Sequence, residues 1–454
     1  MSSSTHIKDF TKGNITSQLI KFSFPLFCAN LLQVVYNMVD MVVVGNVIGK
    51  AGISAVAVGG DIAAFMTFIA MGFANAGQVI IAKYIGAGKR DRIGRFVGTM
   101  SGFLFCCAIV ISSVAFIFRA QILDLMNTPP EAYEGAMRYS VISMAGLVFI
   151  YGYNAVSAVL RGMGDSKHPF VFIAISAMLN VVLDLAFVVG LDMGAGGAAL
   201  ATVISQAVSF ISCTVFLVIK RSEFELDVRF KEFIVPDKKM LSALVKLGVP
   251  MAIKSASIQF SKLFVNSWIN GYGVAVSAFS GIANKIANIT NMISLAIGTA
   301  SATMVGQNIA SGQHKRVKQI MIVVAVIGLS ISLIFSVLIC LFPNQIFSFF
   351  TDGEDAEVLA IAAGYIPIAV LLFFGSGART IMNGLLNGSG DYKINFVTAI
   401  LDGIILRIGL SILFGVALGM EHYGFWLGDA LAGFTPFWIG IVYYFSGRWK
   451  KQEI

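Results

Sequence analysis

Two aspartates lie within segments that are otherwise apolar enough to sit in a lipid bilayer. Asp40 is the only carboxylate in the run from Phe24 to Gly45, and Asp184 lies in a second apolar run that ends at Gly190. A charge at the centre of a membrane helix costs at least about 2.5 kcal/mol on insertion scales, so it is rare there and usually functional. These two acids are therefore the first candidates for a functional site.

Polar side chains from neighbouring segments accompany the two acids. Asn180 and Asp184 are four residues apart and therefore share one face of a helix. Thr202 and Tyr139 each lie several residues inside an apolar segment, at a depth similar to that of Asp40. Two carboxylates at close range in a low dielectric can hold one proton between them. Carboxylate, amide and hydroxyl oxygens also suit a hard cation, so we expect either H⁺ or Na⁺, the latter bound by Asp40, Asn180, Asp184 and Thr202.

The composition is that of an integral membrane protein. Of the 454 residues, 57% are hydrophobic and only 12% are charged, and the mean hydropathy is +0.83. Soluble proteins average about 25% charged residues. The five cysteines lie in apolar segments without metal-ligand spacing, which is typical of small buried side chains. We expect no cofactor other than H⁺ or Na⁺ as the coupling ion.

Apolar runs separated by polar breaks predict twelve membrane-spanning helices, because one span needs about 20 mostly apolar residues. The predicted spans are residues 17–45, 53–82, 95–118, 134–160, 168–190, 195–219, 247–270, 277–310, 317–341, 358–386, 392–416 and 423–446. The predicted fold class is therefore an all-α integral membrane protein.

Positive charges alternate between successive loops. Most of the 32 lysines and arginines fall in the N-terminal region and in every second loop. The loops between them hold only Lys50, Arg119 and Arg138, and carry acids such as Asp352 and Glu354. The positive-inside rule therefore predicts a multi-pass protein of the plasma membrane with both termini in the cytoplasm. The net charge of +8 reflects this topology and does not indicate a nucleic-acid partner.

The chain also repeats itself. Leu160–Phe170 (LRGMGDSKHPF) matches Leu386–Phe396 (LNGSGDYKINF) 226 residues later, and Pro25 matches Pro250 at an offset of 225. With six spans in each half, both halves begin on the same side, as in parallel repeats related by a pseudo-twofold axis along the membrane normal. We predict an N-lobe over residues 1–219, a cytoplasmic connector over 220–246 and a C-lobe over 247–454.

These motifs resemble those of the multidrug and toxic compound extrusion (MATE) transporters. FSFP and LGVP before the first and seventh spans, MVDMVVVGNVIG in the first span, and the LRGMGD and LNGSGD loops carry the resemblance over essentially the whole chain. It implies two six-helix bundles around a central cleft and secondary transport by alternating access, driven by H⁺ or Na⁺. We therefore expect a monomeric efflux transporter of small amphipathic, mainly cationic compounds in the bilayer, and not an enzyme.

The resemblance also implies an N-lobe ion site built from the first, fourth, fifth and sixth helices: Asp40, Tyr139, Asn154, Asn180, Asp184 and Thr202. Pro25 matches the proline at which the first helix bends. The set is similar to that of the prokaryotic DinF-like subfamily. The NorM-like subfamily adds acids in helices seven and ten, whereas residues 251–264 and 375–384 here contain none. This departure argues against a cation site in the C-lobe.

The second half has an excess of cations within its spans. These spans contain two acids, Asp402 and Asp429, and five basic residues: Lys254, Lys262, Lys285, Arg379 and Arg407. One interpretation is that pairs such as Asp402 with Arg407 neutralise one another and that Lys254 extends to the cytoplasmic face. The other is a basic wall, suited to zwitterionic or anionic amphiphiles, in which Lys262 and Arg407 contact the substrate.

Methionine and aromatic side chains are further candidates for the substrate cleft. Met38, Phe260 and Met292 lie in predicted spans, and polarizable, adaptable side chains suit promiscuous binding. Most of the 37 phenylalanines and 19 methionines are expected to face lipid or neighbouring helices.

Three other functional classes are compatible with a membrane chain. A lipid or lipid-linked-precursor flippase of the same superfamily is the main alternative, since a basic second half suits phosphate head groups. A membrane-embedded enzyme is less favoured, because His6, His168, His314 and His422 all lie near span ends or in loops. A channel is least favoured, because only one of the two repeats carries the acid pair, and such an asymmetric arrangement makes a poor continuous pore. The segment GNVIGKA at 45–51 is not a phosphate-binding loop, which favours secondary transport.

Overall fold

The computed structural model describes residues 7–228, 230–348 and 356–452, and over these residues the chain is helical without β-strands. Three residues named above, His6, Asp352 and Glu354, lie outside the described residues. Each membrane span needs about 20 residues, because a helix rises 1.5 Å per residue and the apolar core of a membrane is about 30 Å thick.

The first half of the chain contains eight helices, and all but the short α4 form six spans. They are α1 (Ile15–Ile48), α2 (Lys50–Gly86), α3 (Ile93–Ile117), α4 (Arg119–Leu125), α5 (Pro130–Ala145), α6 (Leu147–Gly162), α7 (Lys167–Asp184) and α8 (Gly194–Ile219). The pair α5 and α6 forms one span bent by 49° at Gly146. After Asp184, α7 continues as a π-helical turn over Leu185–Gly190.

The second half contains ten helices. They are α9 (Phe230–Ile234), α10 (Lys238–Asn270), α11 (Val274–Ala310), α12 (His314–Leu341), α13 (Pro343–Ser348), α14 (Ala356–Gly388), α15 (Tyr392–Ile400), α16 (Leu406–Ile412), α17 (Glu421–Ala432) and α18 (Thr435–Phe445). π-helical turns at Leu401–Ile405 and Leu413–Ala417 join α15 and α16 into one span that ends at Ala417. Helices α17 and α18 together form the last span, Glu421–Phe445.

Among the described residues, eleven helical segments are long and apolar enough to cross a membrane, and the bent pair of α5 and α6 makes twelve. This confirms the predicted all-α membrane fold with twelve spans. One boundary was predicted too late, because α10 begins at Lys238 and not near residue 247. The side chain of Asp237 accepts hydrogen bonds from the backbone N–H groups of Lys239 (2.9 Å) and Met240 (3.1 Å). This cap starts the helix in polar residues that hydropathy does not detect.

The chain folds into two compact units. One contains Phe24–Gly248 with the described residues up to Asp9, and the other contains Phe10–Ser23 with Val249–Ile454. The connector therefore belongs to the first unit, and α1 begins in the second unit and continues from Phe24 in the first. The second unit has an aromatic core in which Phe279 packs against Tyr365 and Trp426. The functional lobes proposed from the repeat, with their boundaries at 219 and 247, stay a prediction.

Candidate functional site

Three helices of the first unit each contribute two polar side chains four residues apart. Because residues at this spacing share a helix face, each helix presents a polar pair: Tyr36 and Asp40 on α1, Asn180 and Asp184 on α7, and Thr202 and Gln206 on α8. Thr202 is half-buried and the other five side chains are buried. The two acids are 2% and 0% exposed, so water cannot offset the cost of a charge there.

Hydrogen bonds connect these three helices at the level of the acids. The Asn180 Nδ2 amide donates to Thr202 Oγ1 at 3.4 Å, and Thr202 Oγ1 donates to Asp40 Oδ2 at 3.2 Å. The threonine hydroxyl has a single proton, and it directs that proton to Asp40 while accepting from Asn180. The polar contacts therefore run from α7 through α8 to α1.

The carboxyl groups of Asp40 and Asp184 lie within hydrogen-bonding range of each other. Ionised carboxylates only accept hydrogen bonds, so the pair needs a shared proton or a cation to offset their repulsion. Four buried oxygens of this cluster have no hydrogen-bond donor: Asp40 Oδ1, Asn180 Oδ1, and both Oδ atoms of Asp184. Such oxygens fit either H⁺ or Na⁺.

Tyr139 of α5 completes the cluster. Its side chain is buried, its hydroxyl lies within hydrogen-bonding range of Thr202, and both acids are within electrostatic range. The ring packs directly on Gly59 of α2, where an added Cβ would lie 2.4 Å from Tyr139 Cδ1. Gly59 therefore provides the space that the tyrosine occupies.

Two members of this cluster, Tyr36 and Gln206, were not predicted from the sequence. Gln206 Nε2 donates to Tyr36 Oη at 3.3 Å, one helical turn away from the contact between Thr202 and Asp40. Both side chains are buried. The i, i+4 spacing that drew attention to Asn180 on α7 is present on α1 and α8 as well, so the same rule would have found Tyr36 and Gln206.

Two other predicted residues of this half have separate surroundings. Asn154 is half-buried, and its Nδ2 amide donates to the Ile150 carbonyl of its own helix at 2.8 Å. Its part in the ion site stays a prediction. Pro25 lies inside α1, which is continuous from Ile15 to Ile48. Because proline has no backbone N–H, the helix lacks one hydrogen bond there, which makes Pro25 a point where bending costs least.

The residues predicted to contact substrate have different exposures. Met38 and Phe260 are well exposed, and Met292 and Lys262 are half-buried. Arg407 is only 2% exposed, and it pairs with Asp402 and Asp429. These contacts agree with the interpretation that Arg407 and the aspartates of the second half neutralise one another. The guanidinium group has little surface left for a substrate. The substrate role of all five residues stays a prediction.

Comparisons with known proteins identify the family of the chain. The MatE family model matches residues 25–186 and 250–420, which is well over half of the sequence. The chain is 29% identical over 446 residues to the "Probable multidrug resistance protein YpnP" of Bacillus subtilis (strain 168), covering 98% of each protein. It is 23% identical over 444 residues to the "Probable multidrug resistance protein NorM" of Thermotoga maritima, covering 97% of this chain and 94% of that protein.

A solved structure shares the fold. It is described as "Outward-facing conformation of a multidrug resistance MATE family transporter of the MOP superfamily", and it matches 98% of both chains with a TM-score of 0.89 at 20% identity. The matched family model includes α1 from Pro25 onward and the segment of α7 that carries Asn180 and Asp184. The chain therefore belongs to the MatE family, which is a family of membrane transporters and not of enzymes.

Proposed function

We propose that this protein is a multidrug efflux transporter of the plasma membrane that exchanges small amphipathic, mainly cationic compounds for H⁺ or Na⁺. Both termini lie in the cytoplasm, and the protein works as a monomer without an organic cofactor. The observation that carries the proposal is the buried pair of Asp40 and Asp184, whose carboxyl groups lie together among oxygens without donors. In a transporter family, such a pair is a reversible site for a cation.

Exchange follows from competition for one negative charge. With the two acids unneutralised, the first half attracts a cationic compound and the site can also accept H⁺ or Na⁺. If the ion and the compound each weaken the binding of the other, thermodynamic linkage makes the effect reciprocal. An ion gradient that fills the site from outside therefore drives the compound out.

Helix α1 connects the ion site to a change of shape. Asp40 and Pro25 lie on this one helix, separated by about 22 Å at 1.5 Å per residue. Neutralising Asp40 changes its interactions with Thr202 and Asp184, whereas Pro25 gives the helix a weak point. We expect α1 to bend at Pro25 when the ion is bound and to straighten when it leaves, so that access to the substrate alternates.

The residues fit either coupling ion. A proton would be shared by Asp40 and Asp184, with the Thr202 hydroxyl orienting one of the carboxylates. Sodium would use the same carboxylates with the Asn180 carbonyl oxygen and the Thr202 hydroxyl oxygen, a set of oxygen ligands that suits a hard cation.

A second candidate function is export of a lipid or lipid-linked precursor. The observation that favours it is the basic second half, in which Lys254 and Lys262 of α10 are half-buried and both lie within electrostatic range of Asp402. Transport by such a protein would depend on the head group of its cargo more than on the charge state of Asp40. An experiment that changes Asp40 can therefore distinguish the two functions.

The test is dye efflux from proteoliposomes. Ethidium or a fluoroquinolone is followed under an imposed pH gradient or an imposed Na⁺ gradient, for wild type and Asp40→Asn. The matched control is Asp192→Asn. Asp192 is exposed and has a positive φ, a conformation that asparagine also tolerates. We expect efflux driven by one gradient, lost in Asp40→Asn and kept in Asp192→Asn. Efflux that ignores both gradients or survives the loss of Asp40 would reject the coupling mechanism and favour the exporter.

A further inference from the structure

The connector packs along α3 of the first unit. Three buried glycines of α3 that are spaced four residues apart, Gly94, Gly98 and Gly102, face it. A Cβ added at Gly94 or Gly102 would overlap the backbone carbonyl group of Asp227 or Phe233, and one added at Gly98 would lie 2.9 Å from a side chain of α9. The absence of side chains at these glycines therefore lets the connector and α9 lie directly against the backbone of a membrane-spanning helix.

The charges of α3 show how deep this contact reaches. The sequence has no charged residue between Arg95 and Arg119, and this apolar stretch makes up most of one membrane span. Arg95 therefore marks one boundary of the apolar core. Gly102 lies further along the same helix, about 10 Å from Arg95 at a rise of 1.5 Å per residue. The backbone of Phe233, which contacts Gly102, is therefore inside the apolar layer of the membrane.

The connector then returns to the boundary. Asp237 Oδ2 accepts from Arg95 Nη2 at 3.1 Å, and the backbone N–H of Asp237 donates to Thr99 Oγ1 at 3.2 Å. Lys238 and Lys239 follow, and both are exposed. Long basic side chains at such a boundary extend to the phosphate groups of lipid head groups. Helix α9 therefore lies at the tip of a segment that enters the apolar layer and leaves it on the same side.

Large apolar side chains are exposed at this tip. Ile234 and Val235 are 64% and 62% exposed. The ring of Phe233 lies 5.7 Å from the ring of Phe105, which belongs to the exposed apolar face of α3. The surface of the tip is therefore continuous with the surface that α3 presents to lipid. Water would leave Ile234 and Val235 unburied, whereas the acyl chains of a lipid leaflet bury them.

We propose that residues 231–237 form a membrane anchor, which inserts into the lipid leaflet on the side predicted to be cytoplasmic and is held at that depth by the glycines of α3. The partner is the leaflet itself, with acyl chains against Ile234 and Val235 and head groups near Arg95 and Lys238. A segment that the sequence predicts to be a polar cytoplasmic connector thereby becomes part of the lipid-embedded surface. This role does not depend on the proposed efflux function.

The experiment measures the depth of residue 234 in the purified full chain in phosphatidylcholine nanodiscs. One dansyl amino acid replaces Ile234, and its fluorescence is quenched either by phosphatidylcholine with a nitroxide on its acyl chains or by iodide in water. The same probe in place of Ser222, an exposed residue of the turn after α8, is the aqueous reference, and in place of Val110 of α3 it is the lipid reference. We expect the probe at Ile234 to behave like the probe at Val110, with lipid quenching severalfold stronger and iodide quenching severalfold weaker than at Ser222.

Gly102→Ala tests the packing that sets this depth. Its Cβ would overlap the Phe233 carbonyl group, so α9 must move away from α3, and we expect the probe at Ile234 to lose lipid quenching and gain iodide quenching. Gly60→Ala, whose Cβ would meet nothing within 4 Å, should leave both values unchanged.

Two outcomes would contradict the proposal. Iodide quenching at Ile234 as strong as at Ser222 would overturn the membrane anchor and would leave the exposed apolar side chains to a soluble partner. Unchanged quenching in Gly102→Ala would overturn the role of α3 in holding the anchor at its depth. If Gly102→Ala does not fold, the comparison of the probes at Ile234 and Ser222 without this substitution decides the question.

Discussion

Thr202 donates its hydroxyl proton to Asp40 across 3.2 Å and so joins α8 to α1, two helices far apart in the sequence. The same oxygen accepts from Asn180, so one side chain orients groups on two other helices. This hydroxyl can be removed with little change of shape, which makes Thr202 a direct test of the proposed ion site.

Thr202→Val removes the hydroxyl and keeps the branched side chain. A hydrogen bond to a charged group contributes about 1.5–3 kcal/mol. If the coupling ion is Na⁺, the variant lacks one oxygen ligand and we expect the apparent affinity to fall about tenfold or more. If the ion is H⁺, the variant lacks a donor that favours the ionised form of Asp40, and we expect the apparent affinity to rise by a similar factor. Thr202→Ser keeps the donor and should stay close to wild type. The measurement is the external ion concentration that gives half-maximal dye efflux. Equal values for the valine and serine variants would show that the hydroxyl does not act on the ion site.

Gly59 of α2 offers a test of how Tyr139 is positioned. An alanine Cβ at residue 59 would lie 2.4 Å from the Tyr139 ring, whereas a Cβ at the adjacent Gly60 would meet nothing within 4 Å. We therefore expect Gly59→Ala to displace Tyr139, to lower stability by about 1–3 kcal/mol and to reduce efflux. Gly60→Ala should be neutral or slightly stabilising, because alanine is the better helix former. Thermal unfolding in detergent and dye efflux check both variants, and identical behaviour of the two would contradict this packing.

Replacing Arg407 tests whether this residue has a structural role or contacts a substrate. Replacing it by methionine leaves Asp402 buried without this partner, and breaking a buried ion pair typically costs about 3–5 kcal/mol. We expect a marked loss of thermal stability, partly restored in the double variant Arg407→Met with Asp429→Asn. The substrate range should otherwise be unchanged in whatever folded protein is recovered. A stable Arg407→Met protein with an altered substrate preference would instead support the original hypothesis that Arg407 contacts the substrate.

We expect the stability of the first turn of α10 to depend on pH, because Asp237, which lies outside the spans, caps this turn. The backbone N–H of Met240 is the main cause that lowers the pKa of this carboxyl group, and Lys239 and Arg95 act in the same direction. Because the pKa is lower in the folded state, the stabilisation is present above the unfolded value of about 3.9 and is lost as pH falls through the folded value. Asp237→Ala should therefore loosen the first turn of α10 at pH 7 and have little effect at strongly acidic pH.

Hydrogen exchange of residues 238–242, corrected for the intrinsic rate at each pH, checks this prediction. Asp237→Asn is the matched control, since asparagine also caps helices and loses only the charge and the ion pair with Arg95. It should fall between wild type and Asp237→Ala at pH 7. A difference between wild type and Asp237→Ala that stays constant down to strongly acidic pH would show that the carboxylate charge contributes nothing.

The sequence by itself determined the number of spans, the fold class and the two acids. These properties are local, since hydropathy over about 20 residues defines a span and an aspartate in an apolar run is conspicuous wherever the chain folds. The start of α10 at Lys238 was missed because its first turns are polar and are capped by a single side chain. The i, i+4 spacing placed Asn180 beside Asp184 for the same local reason.

Only the tertiary structure decided which polar groups meet. Whether Thr202 reaches Asp40, whether Gln206 reaches Tyr36, and whether Arg407 turns to Asp402 and Asp429 or to a substrate depends on how each helix is rotated against its neighbours. That rotation is set by close packing, as where the Tyr139 ring fills the space at Gly59, and involves residues far apart in the chain. Hydropathy carries little information about it, because most positions around a membrane helix are apolar and the few polar ones do not show which neighbour they contact.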